Sequence, residues 1–174
     1  MIFSQCAPHL FTFHSPFSTF HSYSFPLSSF HSHLALFSSL RHNEIMFEVR
    51  VEADFAAAHF LRDYHGKCEN LHGHNYKVFA HVKGNKLDGG GMLLDFSVLK
   101  GTLRDVCKTL DHTNLNDMPV FDQNPSAERI AMYIFNQITE RVPELRFTGD
   151  SDSAHLFAVD VFETETSRAR YCIE

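Results

Sequence analysis

The chain of 174 residues is long enough for one domain with a buried core, and its 44% of hydrophobic residues fits a globular protein. Its net charge of −6 argues against general nucleic-acid binding, which requires a basic surface. No apolar run approaches the roughly 18 residues of a membrane-spanning helix, so we expect no membrane partner. The scattered cysteines predict free thiols in a reducing, cytoplasmic compartment: Cys6, Cys68, Cys107 and Cys172.

Residues 1–45 differ sharply in composition from the rest of the chain. They hold eight of the eighteen Phe, six of the thirteen His and ten Ser, and the triplet Phe-His-Ser recurs three times without a fixed period. Codons for these residues are pyrimidine-rich, as translated non-coding DNA would be. We therefore expect a low-complexity extension that is disordered or precedes the genuine start at Met46, and a folded domain over residues 46–174.

Alternating apolar and polar residues predict the strands of this domain. Four strands are expected, at about 47–59, 72–83, 155–163 and 168–173. Residues i and i+2 of a strand point to the same side, so His72 and His74 are expected side by side on one face of the sheet.

Apolar residues at helical spacing predict two helices between the second and third strands. Asp95 is expected to cap the first helix, whose apolar stripe begins at Phe96. The second is expected to have Asn124 as N-cap and Pro125 at its first position, and to end before Pro143. This order of elements predicts an α+β fold, a four-stranded antiparallel sheet with both helices on one face. Its edge strands favour edge-to-edge oligomerisation.

Three histidines form the most informative pattern in the sequence. His72 and His74 flank Gly73, and His59 lies at the end of the preceding strand. Imidazole is the commonest zinc ligand, and catalytic zinc typically has three protein ligands and one open position. A His-x-His motif alone is more often structural, but together with His59 and the nearby Cys68 it predicts a metal site.

Two acidic positions add candidate chemistry. Asp111 precedes His112 at the end of the first helix, and a carboxylate there can fix the imidazole tautomer and leave the other nitrogen for proton transfer. The alternative, favoured when this segment is taken alone, is that Asp111 simply terminates the helix. Glu163 ends an apolar strand, where it is either an ordinary surface residue or an acceptor for two N–H groups of a heterocycle.

Together these motifs resemble the family of 6-pyruvoyltetrahydropterin and 6-carboxytetrahydropterin synthases. The resemblance covers nearly all of residues 46–174 and depends on six separated motifs in the right order: Phe55-Ala56-Ala57-Ala58-His59, Cys68-x-x-x-His72-Gly73-His74, Leu93-Leu94-Asp95-Phe96, Leu110-Asp111-His112-x-x-Leu115-Asn116, Asn124-Pro125-Ser126-Ala127-Glu128 and Phe162-Glu163-Thr164. It implies the tunnelling fold, in which sheets of several subunits form an oligomeric barrel as trimers or hexamers, with active sites between subunits.

The resemblance also implies a role for each motif residue. The implied zinc ligands are His59, His72 and His74. The implied proton-transfer residues are Cys68, Asp111 and His112. The implied substrate-binding residues are Glu163, which would anchor the pterin ring, and Glu128. The implied substrate is 7,8-dihydroneopterin triphosphate, and the implied cofactor is Zn²⁺.

The spacing after Cys68 favours one branch of the family. Three residues separate Cys68 from His72, which resembles the 6-carboxytetrahydropterin synthases of the queuosine pathway; animal pyruvoyl enzymes, the alternative, generally have five. Glu69 occupies the position of a glutamate that, in a related branch, cleaves the same substrate to 6-hydroxymethyl-7,8-dihydropterin for folate. A bifunctional enzyme and a solvent-facing Glu69 both remain open. A zinc-stabilised assembly module is the non-enzyme alternative, although three ligands leave a structural site incomplete.

Overall fold

A computed structural model describes residues 46–150 and 152–173 of the protein, so the expectations for residues 1–45 lie outside the described residues. The described segments contain two α-helices, α1 (Phe96–Leu110) and α2 (Ala127–Arg141). They also contain five strands, β1 (Phe47–His59), β2 (His72–Gly84), β3 (Thr113–Asn114), β4 (His155–Thr164) and β5 (Ser167–Cys172). Neither helix is long and apolar enough to cross a membrane.

The strands form one open sheet in the order β3-β1-β2-β4-β5. β1 and β2 pair antiparallel along their full lengths, from Phe47 opposite Gly84 to His59 opposite His72. β4 pairs antiparallel with β2, and β5 with β4. The four predicted strands are therefore confirmed, but the predicted count is wrong, because β3 adds a fifth strand parallel to β1.

Two hydrogen bonds after α1 create this fifth strand. Asp111 Oδ1 accepts the N–H of Ala56 at 2.8 Å, and the N–H of His112 donates to the carbonyl of Ala56 at 2.6 Å. They hold the chain beside β1 for the next two residues. A strand this short leaves no alternating pattern in the sequence, which explains why it was not predicted.

Both helices pack on the same face of the sheet, as predicted. Every second side chain of β1 and β2 points toward the helices, and the apolar stripes of α1 and α2 pack into the same core. Members of this core that are entirely buried include Tyr76, Val78, Ala80, Leu99, Leu103, Ile130 and Ile134. Burial of each large aliphatic side chain contributes about 1.5–3 kcal/mol. The face that carries this core also carries the three histidines at one end.

The start of α1 was predicted correctly and the start of α2 was not. Asp95 caps α1 through its side chain, as expected. The N-cap of α2 is Ser126, whose hydroxyl accepts a backbone N–H of the first turn at 3.4 Å. The side chain of Asn124 is instead engaged by the N–H of Arg62 at 3.3 Å. Pro125 consequently lies before the helix and not within it.

The opposite, helix-free face carries a buried ionic cluster centred on Asp160. Arg170 donates to both carboxylate oxygens of Asp160, from Nε at 2.7 Å and from Nη2 at 2.8 Å. His81 bridges Asp160 at 2.9 Å and Glu48 at 2.7 Å. Burial alone would raise the pKa of Asp160, but Arg170 and His81 outweigh it and lower that pKa. The cluster therefore favours the ionised carboxylate within the folded chain.

Replacing Arg170 with Met should lower the free energy of unfolding at pH 7 by about 3 kcal/mol, because Asp160 would remain buried without its bidentate partner. Arg168, whose Nε lies 3.7 Å from Asp160, is half exposed, so Arg168→Met should cost less than about 1 kcal/mol.

Because folding lowers the pKa of Asp160, the contribution of its carboxylate to the free energy of unfolding is present above the unfolded pKa of about 3.9 and is lost as the pH falls below that value. Urea unfolding at pH 7 and pH 3 measures both effects; an Arg170→Met loss that persists undiminished at pH 3 would contradict this assignment.

A chain that begins at Met46 should fold and bind metal like the full-length protein. The reason is that the sheet, the helices and the ligand histidines described above all lie between residues 47 and 172. Thermal unfolding followed by circular dichroism, together with metal content after dialysis, tests this expectation. Precipitation or metal loss of the shortened chain alone would mean that residues 1–45 contribute to the structure.

Candidate functional site

His59, His72 and His74 meet where the β1–β2 pair ends. One ring nitrogen from each lies within 4.8 Å of the others, and the ring centroids are 4.6, 5.0 and 5.3 Å apart. The strand register explains this convergence, since His59 lies directly opposite His72 and His74 follows on the same face. The three predicted ligands therefore form a group that could hold a metal ion.

Backbone carbonyls fix two of these imidazoles. His59 Nδ1 lies 2.9 Å from the carbonyl oxygen of Pro125, and His72 Nδ1 lies 2.7 Å from that of Asn70. A carbonyl only accepts hydrogen bonds, so each Nδ1 carries the proton and each Nε2 presents a lone pair. Metal-binding histidines are usually oriented by such a bond from the other ring nitrogen.

The environment of His59 suits a metal ligand in two further respects. Its Nε2 is buried and has no hydrogen-bond partner among the described residues, and a bound cation would satisfy that lone pair. Burial is also the main cause of a lowered pKa for His59, partly opposed by the bond to Pro125 and the charge of Glu163. A lowered pKa favours the neutral imidazole, which is the form that binds metals.

Asn116 ties the end of β1 to the loop that supplies the Pro125 carbonyl. Its Oδ1 accepts the N–H of Phe60 at 2.9 Å, and its amide nitrogen donates to the carbonyls of Phe60 and Gln123, both at 2.9 Å. The side chain is 8% exposed, so these bonds are largely shielded from water. Sequence analysis noted Asn116 only within a motif and missed its role in positioning His59.

Glu163 lies beside the histidines. Its Oε1 is 3.8 Å from Nε2 of His59. It also lines a cavity of about 670 Å³, which is the usual size range for a small-molecule site. Other residues of the cavity wall are Gly73, His74, Lys77, Phe79, Phe162 and Thr164. The cavity thus extends from the Gly73–His74 end of β2 to the end of β4.

Tyr76 forms the floor beneath the histidines. Its ring stacks on Phe55 with centroids 4.7 Å apart and lies edge-on to His59 at 5.9 Å and His74 at 5.5 Å. Its hydroxyl is buried without a hydrogen-bond partner among the described residues. Burial, and secondarily the charge of Glu163, raise the pKa of the phenol. No role was predicted for Tyr76 from the sequence.

The predicted pairing of Asp111 with His112 is present. Asp111 Oδ2 lies 2.8 Å from His112 Nδ1. The N–H of Ala56 and the contact with His112 lower the pKa of Asp111, so its carboxylate is ionised and can hold a proton on Nδ1. The side chain of His112 is 83% exposed, and it borders a second cavity of about 510 Å³ that also contacts His74.

Cys68 lies apart from this pair. Its thiol is free and half-buried within a short 3-10 turn, Lys67–Glu69. No hydrogen bond between described residues joins the Cys68 thiol to Asp111 or His112. One chain therefore brings together the histidines and Glu163, and pairs Asp111 with His112, while no hydrogen bond between described residues joins Cys68 to that pair.

Two further glutamates have structural contacts or positions that explain their presence. Glu69 Oε1 accepts the N–H of His65 at 3.0 Å and thereby braces its own loop. Glu128 is exposed in the first turn of α2, where a negative charge is stabilised by the helix dipole. A catalytic role for Glu69 and a substrate-binding role for Glu128 remain predictions.

Known proteins resemble this chain over the described domain. The family model described as 6-pyruvoyl tetrahydropterin synthase matches residues 48–174. A 6-carboxy-5,6,7,8-tetrahydropterin synthase of Synechocystis is 39% identical over 132 residues, which cover 72% of this chain and 93% of that protein. A Bacillus subtilis protein of the same name is 35% identical, with 73% and 84% covered. Human 6-pyruvoyl tetrahydrobiopterin synthase is 32% identical, with 71% and 90% covered.

Solved structures agree with this relationship. The 6-pyruvoyl tetrahydropterin synthase of Caenorhabditis elegans matches with a TM-score of 0.61 and 26% identity, covering 75% of this chain and 97% of that one. A Plasmodium vivax 6-pyruvoyltetrahydropterin synthase, in which a catalytic glutamate is replaced by cysteine, matches with a TM-score of 0.58 and 29% identity, covering 74% and 98%. The chain therefore belongs to the 6-pyruvoyl tetrahydropterin synthase family of pterin-forming lyases.

Proposed function

We propose that this protein converts 7,8-dihydroneopterin triphosphate to 6-carboxy-5,6,7,8-tetrahydropterin, with loss of acetaldehyde and triphosphate, in queuosine biosynthesis. The convergence of His59, His72 and His74 beside Glu163 is the observation that carries this proposal. Two relatives named 6-carboxytetrahydropterin synthase, at 35% and 39% identity, support the choice of product. The three-residue spacing after Cys68 supports the same choice.

The proposed cofactor is Zn²⁺, held by the three imidazoles. Three nitrogen ligands with a fourth position open are typical of catalytic zinc. When bound, the ion supplies Lewis-acid polarisation of oxygen atoms on the substrate side chain, which lowers the cost of removing a proton from carbon. The carbonyls of Pro125 and Asn70 keep the Nε2 atoms of His59 and His72 available to it.

Glu163 is the proposed anchor for the pterin ring. A carboxylate can accept two N–H groups from the edge of the pyrimidine ring, which gives both affinity and orientation. A ring held at Glu163 lies within reach of the histidines, because Oε1 is only 3.8 Å from His59 Nε2. Cys68 is the proposed base, and Asp111 orients His112 for proton transfer.

A homo-oligomer would explain how separated groups serve one reaction. In one chain no hydrogen bond between described residues joins the Cys68 thiol to Asp111 or His112, although the proposed reaction uses all three. Among the described residues, the sheet ends at β5 on one side, and β1 has a strand partner on its outer side only at Ala57 and Ala58. Edge pairing of copies into a trimeric or hexameric barrel would cover both edges and bring the relay of one subunit near the thiol of another.

A second candidate activity is cleavage of the same substrate to 6-hydroxymethyl-7,8-dihydropterin, with Glu69 as the base. Its support is that a Plasmodium vivax relative has a catalytic glutamate, so a glutamate can serve this family. The observed bond from His65 to Glu69 is the competing structural role. If the enzyme forms a pyruvoyl product, the metal site stays intact and only the identity of the product differs. If the protein is a zinc-stabilised assembly without turnover, the metal site also stays intact but no product is released.

Replacing His59, His72 or His74 with Ala should lower zinc affinity at least about a hundredfold, because even residues that merely orient a metal ligand contribute about ten- to a hundredfold. His65→Ala is the matched control, since that side chain is 88% exposed and lies outside the group. Metal content after dialysis measures the effect, with circular dichroism to verify folding. Retention of zinc by all three ligand variants would exclude the site.

Replacing Cys68 with Ala should lower formation of 6-carboxytetrahydropterin about a hundred- to ten-thousand-fold, the usual contribution of a positioned base, without loss of zinc. The control is Cys172→Ala, which removes an exposed thiol on β5. Products of purified, zinc-loaded protein incubated with dihydroneopterin triphosphate are identified by mass spectrometry. Undiminished turnover by Cys68→Ala would reject the thiol as the base.

The same assay separates the two activities. If Glu69 is a second base, the Cys68→Ala protein should still release 6-hydroxymethyl-7,8-dihydropterin, and Glu69→Ala should lose only that product. If Glu69→Ala leaves every product unchanged, Glu69 serves the loop alone. The carboxy-pterin assignment would survive that result, because it depends on Cys68.

A further inference from the structure

Tyr76 has a buried hydroxyl group whose partner is missing from the hydrogen bonds of the described residues. The side chain is 0% exposed, and Oη makes no hydrogen bond within residues 46–150 and 152–173. Buried polar groups in folded proteins nearly always have a partner, so an unpaired one close to a binding site points to a partner acquired when that site is filled. A phenylalanine would pack on Phe55 equally well, and the hydroxyl therefore needs its own explanation.

The ring of Tyr76 leans toward the histidines. On the sheet, Tyr76 lies opposite Phe55, four residues before His59, and four residues of a strand span about 13 Å. The ring centroids of Tyr76 and His59 are nevertheless only 5.9 Å apart. The two side chains must incline toward each other, which places the phenol ring against the metal-ligand group.

Glu163 is the third residue of the group that Tyr76 and His59 form. Its Oε1 lies 3.8 Å from His59 Nε2, and the antiparallel register of β2 and β4, in which Lys77 lies opposite Phe162, brings Glu163 to the position beside Tyr76. A nitrogen and an oxygen that bind the same tetrahedral zinc ion lie about 3.4 Å apart, as follows from metal–ligand distances near 2.1 Å. Glu163 is thus almost as close to His59 as a fourth metal ligand would be.

Ligation by Glu163 would conflict with substrate binding. A fourth protein ligand would close the site, which is the arrangement of structural zinc. It would also occupy the carboxylate that is proposed to anchor the pterin ring. A hydrogen-bond donor that engages Glu163 would prevent such ligation.

We propose that Tyr76 is a positioning residue whose hydroxyl donates a hydrogen bond to Glu163 when the three histidines hold an ion. This bond keeps the carboxylate off the ion and directs it toward the substrate. The inference depends on the proposed function, in which the histidines bind a metal and Glu163 binds the pterin. Two properties of the site favour it: O–H···O⁻ bonds are short and strong, and the Glu163 side chain, at 26% exposure, has room to turn.

Cobalt(II) provides the test, because its visible absorption changes with the number and type of its ligands. Wild type, Tyr76→Phe and the double variant Tyr76→Phe/Glu163→Gln are loaded with cobalt and titrated with a chelator and, separately, with azide. Tyr76→Phe should bind cobalt about tenfold more tightly, which is the effect expected when a hydrogen bond to a charged group no longer opposes ligation. Its spectrum should no longer respond to azide, because Glu163 would occupy the open position.

The double variant should return to wild-type affinity and regain the response to azide, since an amide is a poorer ligand than a carboxylate. Tyr133→Phe is the matched control, because its hydroxyl lies 3.4 Å from Thr109, away from the histidines. Thermal unfolding of the apo proteins verifies that each variant folds.

Unchanged or weaker cobalt binding by Tyr76→Phe would overturn the role of Tyr76 alone. Failure of the wild type to bind cobalt would overturn the metal site itself, and with it this role. The two failures are distinguished by the wild-type titration. In the active enzyme, Tyr76→Phe should raise KM for the pterin substrate, because the anchor would be engaged by the ion.

Discussion

The register of the β1–β2 pair is the constraint on which the rest of the site depends. The two strands pair over thirteen residues each, and the same alternation that buries Phe55 and Tyr76 continues to His59 and His72 at the end of the pair. A slip of one residue would turn every side chain of one strand to the opposite face, so that β2 would expose its core residues and lose its histidines from the group. Burial of the apolar residues therefore also fixes the positions of the three candidate metal ligands along the strands.

The loop before α2 orients the ring of His59, which the strand register alone does not do. Had α2 begun with Pro125 as its first residue, the Pro125 carbonyl would have accepted a helical N–H four residues later. With Ser126 as the N-cap, the helical series starts at Ser126, whose carbonyl accepts the N–H of Ile130 at 2.9 Å. The Pro125 carbonyl is then available to His59 Nδ1. A shift of one residue in a helix start thus determines the tautomer of His59, a candidate metal ligand.

Sequence analysis predicted those features that leave a periodic or side-chain signal. The strands, the apolar stripes and the Asp95 cap follow from local patterns, and the pairing of Asp111 with His112 follows from adjacency. The partnership of His59 with His72 crosses a loop, so it was predicted from the group of histidines in the sequence, and the family resemblance implied the same ligands. The Pro125 carbonyl was missed because a backbone acceptor has no sequence signature. The hydroxyl of Tyr76 was missed because a tyrosine in an apolar stripe is indistinguishable from a core aromatic residue.

Two carboxylates on β4 show how the fold distinguishes a structural acid from one available to a ligand. Asp160 faces the helix-free side and is neutralised by the bidentate Arg170 and by His81. Glu163 faces the histidines, and its only ion-pair contact within the described residues is with His59. A neutral His59, which its lowered pKa favours, leaves that carboxylate without a compensating charge. An uncompensated carboxylate at the mouth of a cavity favours either a cation or a ligand with several N–H groups. The balance between these two partners is what a donor at the position of Tyr76 would control.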